Sequence, residues 1–361
     1  MPSSFSSNVV VYANATKSIH YLTTGPSTGP LLIFLHGWPA VAMTWRPQLE
    51  AFSAMGFFVV APDMPGYGKS TANKVLSDYS LEAIVEGMLA LLADTGREQA
   101  VWVAHDWGCG VLWSLAATNP DVCLSIVNLV VPYRTLELGF DELMAVVNRD
   151  IYPEDKYPYG QWEYQVFYER HFEKATAWFD SDKPAVLRLL FSGKGNPEKQ
   201  GQPGRTATVL QDGGWFGGIP KPPPKSTVPP GSCLLDKLPP EDVRDMEEDF
   251  ERNSFFGPDA YYMNHKANRS WNLEHSKNGG VLRMPVLFIE AQFDTAADSA
   301  VNPKFTERMK QLCENLSFAS IPAGHWVALE KPEETTATIA RWLVETVPLH
   351  WPGPTITKLE T

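Results

Sequence analysis

Apolar residues in this chain gather into short runs. Those at 8–13, 18–22, 31–35, 57–61, 99–104, 125–131, 285–290 and 316–321 are unbroken or alternating and rich in β-branched residues, which predicts eight strands. Most intervals between them carry a helical period. In 80–95 the residues Leu81, Ile84, Val85, Met88, Leu89 and Leu92 recur on one face, and 333–346 repeats the pattern. Strands alternating with helices predict an α/β fold, a mostly parallel sheet flanked by helices on both faces.

The alternation stops after Pro132. From there the strand signal is replaced by aromatic-rich helical stretches, clearest at 160–179 and 241–253, so 134–283 reads as a helical domain inserted into a core made of 1–133 and 284–361. Inside it, 193–232 holds 8 Pro and 9 Gly, a breaker density that excludes regular structure. Two readings stay open for this excursion. It is either a surface segment without function or a lid whose Trp215 and Phe216, costly to leave in water, dock against a cleft.

Composition narrows the function classes. The 361 residues carry 30 Lys+Arg against 42 Asp+Glu, a formal charge of −12 with no basic cluster, which disfavours nucleic acid or anionic membrane as partner. Cys109, Cys123, Cys233 and Cys313 lie far apart with no CxxC spacing, so neither a disulfide framework nor a metal site is expected. No apolar run approaches the ~18 residues of a membrane span. Met1–Ser7 shows no apolar signal segment, so the three glycosylation sequons read as chance matches and a cytoplasmic, soluble protein is expected.

Chemistry concentrates where strands end. Leu35-His-Gly-Trp-Pro39 follows a buried strand and can turn backbone N–H groups, that of Trp38 in particular, towards a site at the sheet's carboxyl edge. Asp63-Met-Pro-Gly-Tyr-Gly-Lys-Ser70 ends like a phosphate-binding loop, but that motif needs a glycine where Asp63 stands, so nucleotide binding is rejected. Val103-Ala-His-Asp-Trp-Gly-Cys-Gly110 has the small-x-nucleophile-x-small form of a nucleophile elbow, with Asp106 in place of a serine. A carboxylate of ordinary pKa about 3.9 is already an anion at neutral pH and can attack an sp³ carbon without a base. The resulting ester would present its carbonyl oxygen to the N–H groups of Trp38 and Trp107, an oxyanion hole in which backbone rather than ring matters. Asp106 as a helix cap is the competing reading.

Asp294 and His325 weigh on that choice. Each follows a strand, and the order nucleophile, acid, histidine is that of an α/β-hydrolase triad, with His325 activating water and Asp294 fixing its tautomer. With His36-Gly-Trp-Pro39, Asp63-Met-Pro-Gly-Tyr-Gly68, His105-Asp-Trp-Gly108 and Gly324-His-Trp326 together, the chain resembles an epoxide hydrolase of the α/β-hydrolase family, aspartate-nucleophile branch, over nearly its whole length. The resemblance implies an eight-stranded core with a helical cap, no cofactor, a small hydrophobic epoxide and water as partners, and two cap tyrosines donating to the departing oxygen. Glu163-Tyr-Gln165 nominates Tyr164 for one, and Gly257-Pro-Asp-Ala-Tyr-Tyr-Met-Asn264 nominates Tyr262 for the other, with Tyr261 as substitute. Against this, Tyr164, Tyr168 and Phe172 at i, i+4 and i+8 also make an ordinary helix-core stripe. His105 is given no chemistry.

Three rivals share the fold. A haloalkane dehalogenase uses the same aspartate, but a halide leaves without protonation, and the paired tyrosines favour an epoxide. A fluoroacetate-type dehalogenase would want an arginine beside the nucleophile. A non-catalytic binding protein of this fold would be expected to lack a triad member. Monomer and homodimer are equally compatible with the sequence.

Overall fold

In a computed structural model describing residues 5–229 and 231–353, the eight apolar runs become one sheet. Its strands are β1 (Ser6–Tyr12), β2 (Lys17–Thr24), β3 (Leu31–Leu35), β4 (Phe58–Pro62), β5 (Ala100–His105), β6 (Cys123–Leu129), β7 (Leu282–Ala291) and β8 (Cys313–Ile321). Their spatial order is β1-β2-β4-β3-β5-β6-β7-β8. β1 and β2 pair with each other, and β2 with β4, in antiparallel sense; every later pairing is parallel. β3 and β5, buried along their whole length, occupy the middle, as strands covered on both faces must. β7 begins at Leu282, three residues before the apolar run, because its first pairing is to Cys313 across a register slip that ends at Pro285, which has no N–H to offer. β7 thus starts inside the stretch read as 134–283.

Helices α1 (Arg46–Ala54), α2 (Leu81–Asp94) and α3 (Trp107–Thr118) follow the strands. The hydroxyl of Ser80 accepts the Ala83 N–H and starts α2 where its apolar face begins. α3 is buried on every side, which suits a helix packed between the sheet and the insert above it.

Between β6 and β7 the described residues form helices, turns and one isolated bridge. The expected helix over 160–179 is a 3₁₀ turn, Gly160–Trp162, followed by Glu163–Asp180, whose backbone breaks at His171. That break divides the aromatic stripe. Tyr168 is fully buried and stacks on Tyr262, whereas Phe172, beyond the break, packs edge-on against Phe256.

The excursion 193–232 is tied at three places. At its neck Ser192 bridges Cys233, supported by Gly193 N–H to Ser232 O (3.2 Å) and Leu234 N–H to Phe191 O (2.9 Å). The Glu330 carboxylate accepts the N–H groups of Gly195 (3.0 Å) and Gly324 (2.9 Å), fastening the excursion's start to the residue before His325. The buried Glu163 carboxylate accepts from Leu210 N–H (3.0 Å), Gln211 N–H (2.9 Å) and the Gln211 side chain (2.8 Å), fastening its middle to the residue before Tyr164. Removing a buried carboxylate that takes three donors leaves the Leu210 and Gln211 N–H groups, partly shielded from water, without their acceptor. We expect Glu163→Ala to cost about 2–3 kcal/mol in denaturant unfolding and to speed proteolysis around 205–212; a loss within experimental error would show that water replaces the carboxylate.

Candidate active site

β5 delivers Asp106 to the sheet edge in a strained conformation. Its φ of 52° and ψ of −122° lie outside the regions open to ordinary residues, at a cost of roughly 1–3 kcal/mol, and they stand its carboxylate clear of the helix that starts at Trp107. The turn is possible because its neighbours are small. A side chain at Gly108 would meet Leu35 O at 2.6 Å, and one at Gly37 would meet Asp106 Oδ1 at 2.4 Å. Asp106 makes no capping bond to α3; Oδ1 instead accepts the Trp38 N–H at 2.7 Å. Burial raises the Asp106 carboxyl above the usual carboxylate range, against the pull of His325 and the N–H groups of Trp107 and Trp38.

His325 lies opposite. Its Nε2 is 3.7 Å from Asp106 Oδ2 and its Nδ1 is 2.8 Å from Asp294 Oδ2. The second oxygen of Asp294 accepts from Ala296 N–H (2.8 Å) and Ala297 N–H (3.2 Å), which fixes the carboxylate and, with His325, holds it ionised below its ordinary value despite burial. Burial alone would strip the proton from His325, but Asp294 and then Asp106 outweigh it and push the imidazole up to about 9. His105 positions this loop. Burial lowers its imidazole to about 3, and the neutral ring donates Nε2–H to the His325 carbonyl at 2.7 Å.

Both nominated tyrosines arrive from the insert. Tyr262 sets its ring edge-on to Trp107 (5.1 Å between centroids), Tyr164 (5.5 Å) and Trp38 (6.2 Å). Tyr164 accepts a hydrogen bond from the Gln165 side chain at 3.0 Å, which leaves its own O–H to donate. Burial first raises both phenols, followed at Tyr164 by the Asp106 charge and at Tyr262 by Tyr164 and then Asp106, so both stay protonated. Tyr261 is committed elsewhere, donating to Pro65 O at 2.9 Å.

Asp63 accepts from His20 and from the N–H groups of Ala42 and Lys69, closing the 63–70 loop on itself with no phosphate cradle. Among the described residues no group of three or more His, Cys, Asp or Glu side chains is placed to hold a metal ion. No described helix is long and apolar enough to cross a membrane.

Sequence reasoning missed Asp259 and undervalued a ring. The Trp38 indole donates to Asp259 Oδ1 (3.0 Å) and packs against Phe179, Trp215 and Phe255, so ring and backbone of one residue serve together. Asp259 is fully buried, also accepts from Thr176 (3.0 Å), and is driven by desolvation to keep its proton far above the usual carboxylate range. An aspartate in a helical stretch carries no sequence signal of this kind.

Residues 30–332 match the alpha/beta hydrolase fold family. Bifunctional epoxide hydrolase 2 of Sus scrofa is 26% identical over 343 residues, covering 95% of this chain, which spans only 56% of that protein's length. Epoxide hydrolase A of Mycobacterium tuberculosis is 26% identical over 329 residues, covering 90% of this chain and 94% of its own. The crystal structure of epoxide hydrolase A from Mycobacterium thermoresistibile superposes with a TM-score of 0.72 at 27% identity, covering 94% of this chain and 98% of that one.

The charges at His325 have a pH consequence. A free imidazole titrates near 6.5 and His325 near 9, so its contribution to stability is complete below about 6.5 and is lost as pH rises through about 9. The stability advantage of the wild type over His325→Gln should shrink across that window. In NMR titrations the His325 midpoint should fall in Asp106→Asn; an unchanged midpoint would remove Asp106 as a cause.

Proposed function

Because the chain belongs to the alpha/beta hydrolase fold family, we propose that its site hydrolyses epoxides to vicinal diols through an ester on Asp106, the insert acting as the cap that supplies Tyr164 and Tyr262. The observation that carries this reading is the convergence of two protonated phenols above the same carboxylate, their rings 5.5 Å apart. A halide would need neither. An alkoxide needs both, since it leaves poorly unless a donor meets the charge as it develops. The names of the mycobacterial and pig relatives support the same substrate class.

In the first step Asp106 Oδ2, the oxygen not held by Trp38, attacks an epoxide carbon. The carbon–oxygen bond breaks, its electron pair stays on the oxygen, and Tyr164 and Tyr262 supply the hydrogen bonds and then the proton. Oδ1 becomes the ester carbonyl oxygen in the hole formed by the Trp38 and Trp107 N–H groups. Esterification consumes the negative charge that helps raise His325 and both phenols. His325 then gives up its proton more readily, which reprotonates the phenolic side through solvent, and the neutral ring takes a proton from water as that water adds to the ester carbonyl. Collapse breaks the acyl carbon–oxygen bond to the substrate; the departing alkoxide is protonated by way of His325 at the expense of the hydroxyl added from water, which leaves the Asp106 carboxylate, the imidazolium and the diol. The timing is built in, because the base is unmasked by the step that makes its substrate.

Asp106→Ala should reduce diol formation to background. Tyr164→Phe and Tyr262→Phe should each slow alkylation about 100-fold and ester hydrolysis far less in single-turnover experiments. His325→Gln should accumulate an adduct of protein plus epoxide in intact mass. Halide release from haloalkanes with no diol from any epoxide would overturn the substrate class, and full activity in Asp106→Ala would overturn the mechanism.

A further inference from the structure

Trp215 stands between the residues of the proposed reaction site and a cavity. On one side its indole stacks on Trp38 (6.1 Å between centroids, planes 18° apart) and tilts against Tyr164 (5.6 Å), two residues of the reaction site. On the other it lines a cavity of about 430 Å³ bounded by Phe167, Ala177, Trp178, Ile219 and Lys221. That volume is enough for a substantial organic group. Lys174, Ser181 and Lys221 lie on its rim, and Phe167, Ala177, Trp178 and Ile219 make its apolar side.

The turn that carries Trp215 holds it in place from both shoulders. The Lys174 ammonium donates to Gly213 O (2.8 Å), the Trp178 indole donates to Ile219 O (2.7 Å), and Phe216 stacks on Trp178. Between those ties the backbone sits in left-handed territory at Gly213, Phe216, Gly217 and Gly218 (φ 73°, 54°, 78° and 70°). At Gly218 any side chain would strike Asp212 O at 2.0 Å. The indole itself is 7% exposed, and its N–H is buried without an acceptor. Such a donor gains when it finds a partner, so the inserted position is one the ring can be displaced from.

We propose that Trp215 sets the length of substrate the site accepts. Seated, the indole divides the reaction site from the cavity; displaced, it joins them, and the apolar tail of a longer epoxide lodges between Phe167, Trp178 and Ile219. This rests on the epoxide reading and deepens it.

The test compares styrene oxide with para-hexylstyrene oxide, which share a reacting centre and differ only in tail. Trp215→Ala should raise the long-to-short ratio of kcat/KM about 10-fold, mostly through KM, with Trp215→Phe between it and the wild type. Ala177→Trp, which fills the cavity from an exposed helix position, should lower the ratio. Should Trp215→Ala not fold, Trp215→Phe and Ala177→Trp decide. Ratios within about 2-fold of wild type in the folded variants overturn the partition while leaving epoxide hydrolysis intact. A wild type that opens neither compound overturns both.

Discussion

An anion removed from water must find its donors in the protein, and the bond from the Trp38 N–H to Asp106 is where this molecule meets that demand. It favours the ionised form of a buried carboxylate, the proposed nucleophile, and it orients the group so that one oxygen is held and the other is free. The same tryptophan reaches the insert through its indole, which Asp259 accepts. One residue just past the end of β3 thus touches both the proposed nucleophile and the insert above it. Desolvation favours Asp259 as a neutral acid at that depth, and its oxygens accept from Trp38 and Thr176.

The excursion is fastened close to the chemistry at both ends of the site. Glu163 precedes Tyr164 and Glu330 holds Gly324, which precedes His325, so the segment least regular in structure is bound to the neighbours of a proposed acid and the proposed base. Local irregularity and firm placement coexist because the breaker residues prevent a ladder of backbone bonds, and two carboxylates supply the missing acceptors.

Much of this was legible in the sequence, for identifiable reasons. Strand runs such as Leu31–Leu35 are apolar because both faces are covered; Asp106 and Asp294 stand out because each follows such a run, whereas His325 follows the largely exposed edge strand β8 and stands out by its order after them. The choice between Tyr261 and Tyr262 was not legible, because it turns on a hydrogen bond to Pro65 that only the packed loop provides. Asp259 and Trp215 were hidden for a related reason. A buried acid and a docked indole look like any aspartate in a helix and any tryptophan in a loop until the surfaces that receive them exist. The early start of β7 escaped because Arg283 and Pro285 interrupt the apolar pattern where Leu282 is already paired with Cys313.

The closed neck of the excursion has a consequence for descent. Bridged residues sit about 5 Å apart, so the chain leaves at Ser192 and returns at Cys233 almost to the same point. A segment with coincident ends can be lengthened, shortened or exchanged without moving the helices Lys183–Leu190 and Pro240–Asn253 that flank it. Loop-closure entropy changes only slowly with length, so such revisions cost the fold little. The arrangement around Asp106 can stay constant in a lineage while the excursion beside it is rewritten as a detachable module.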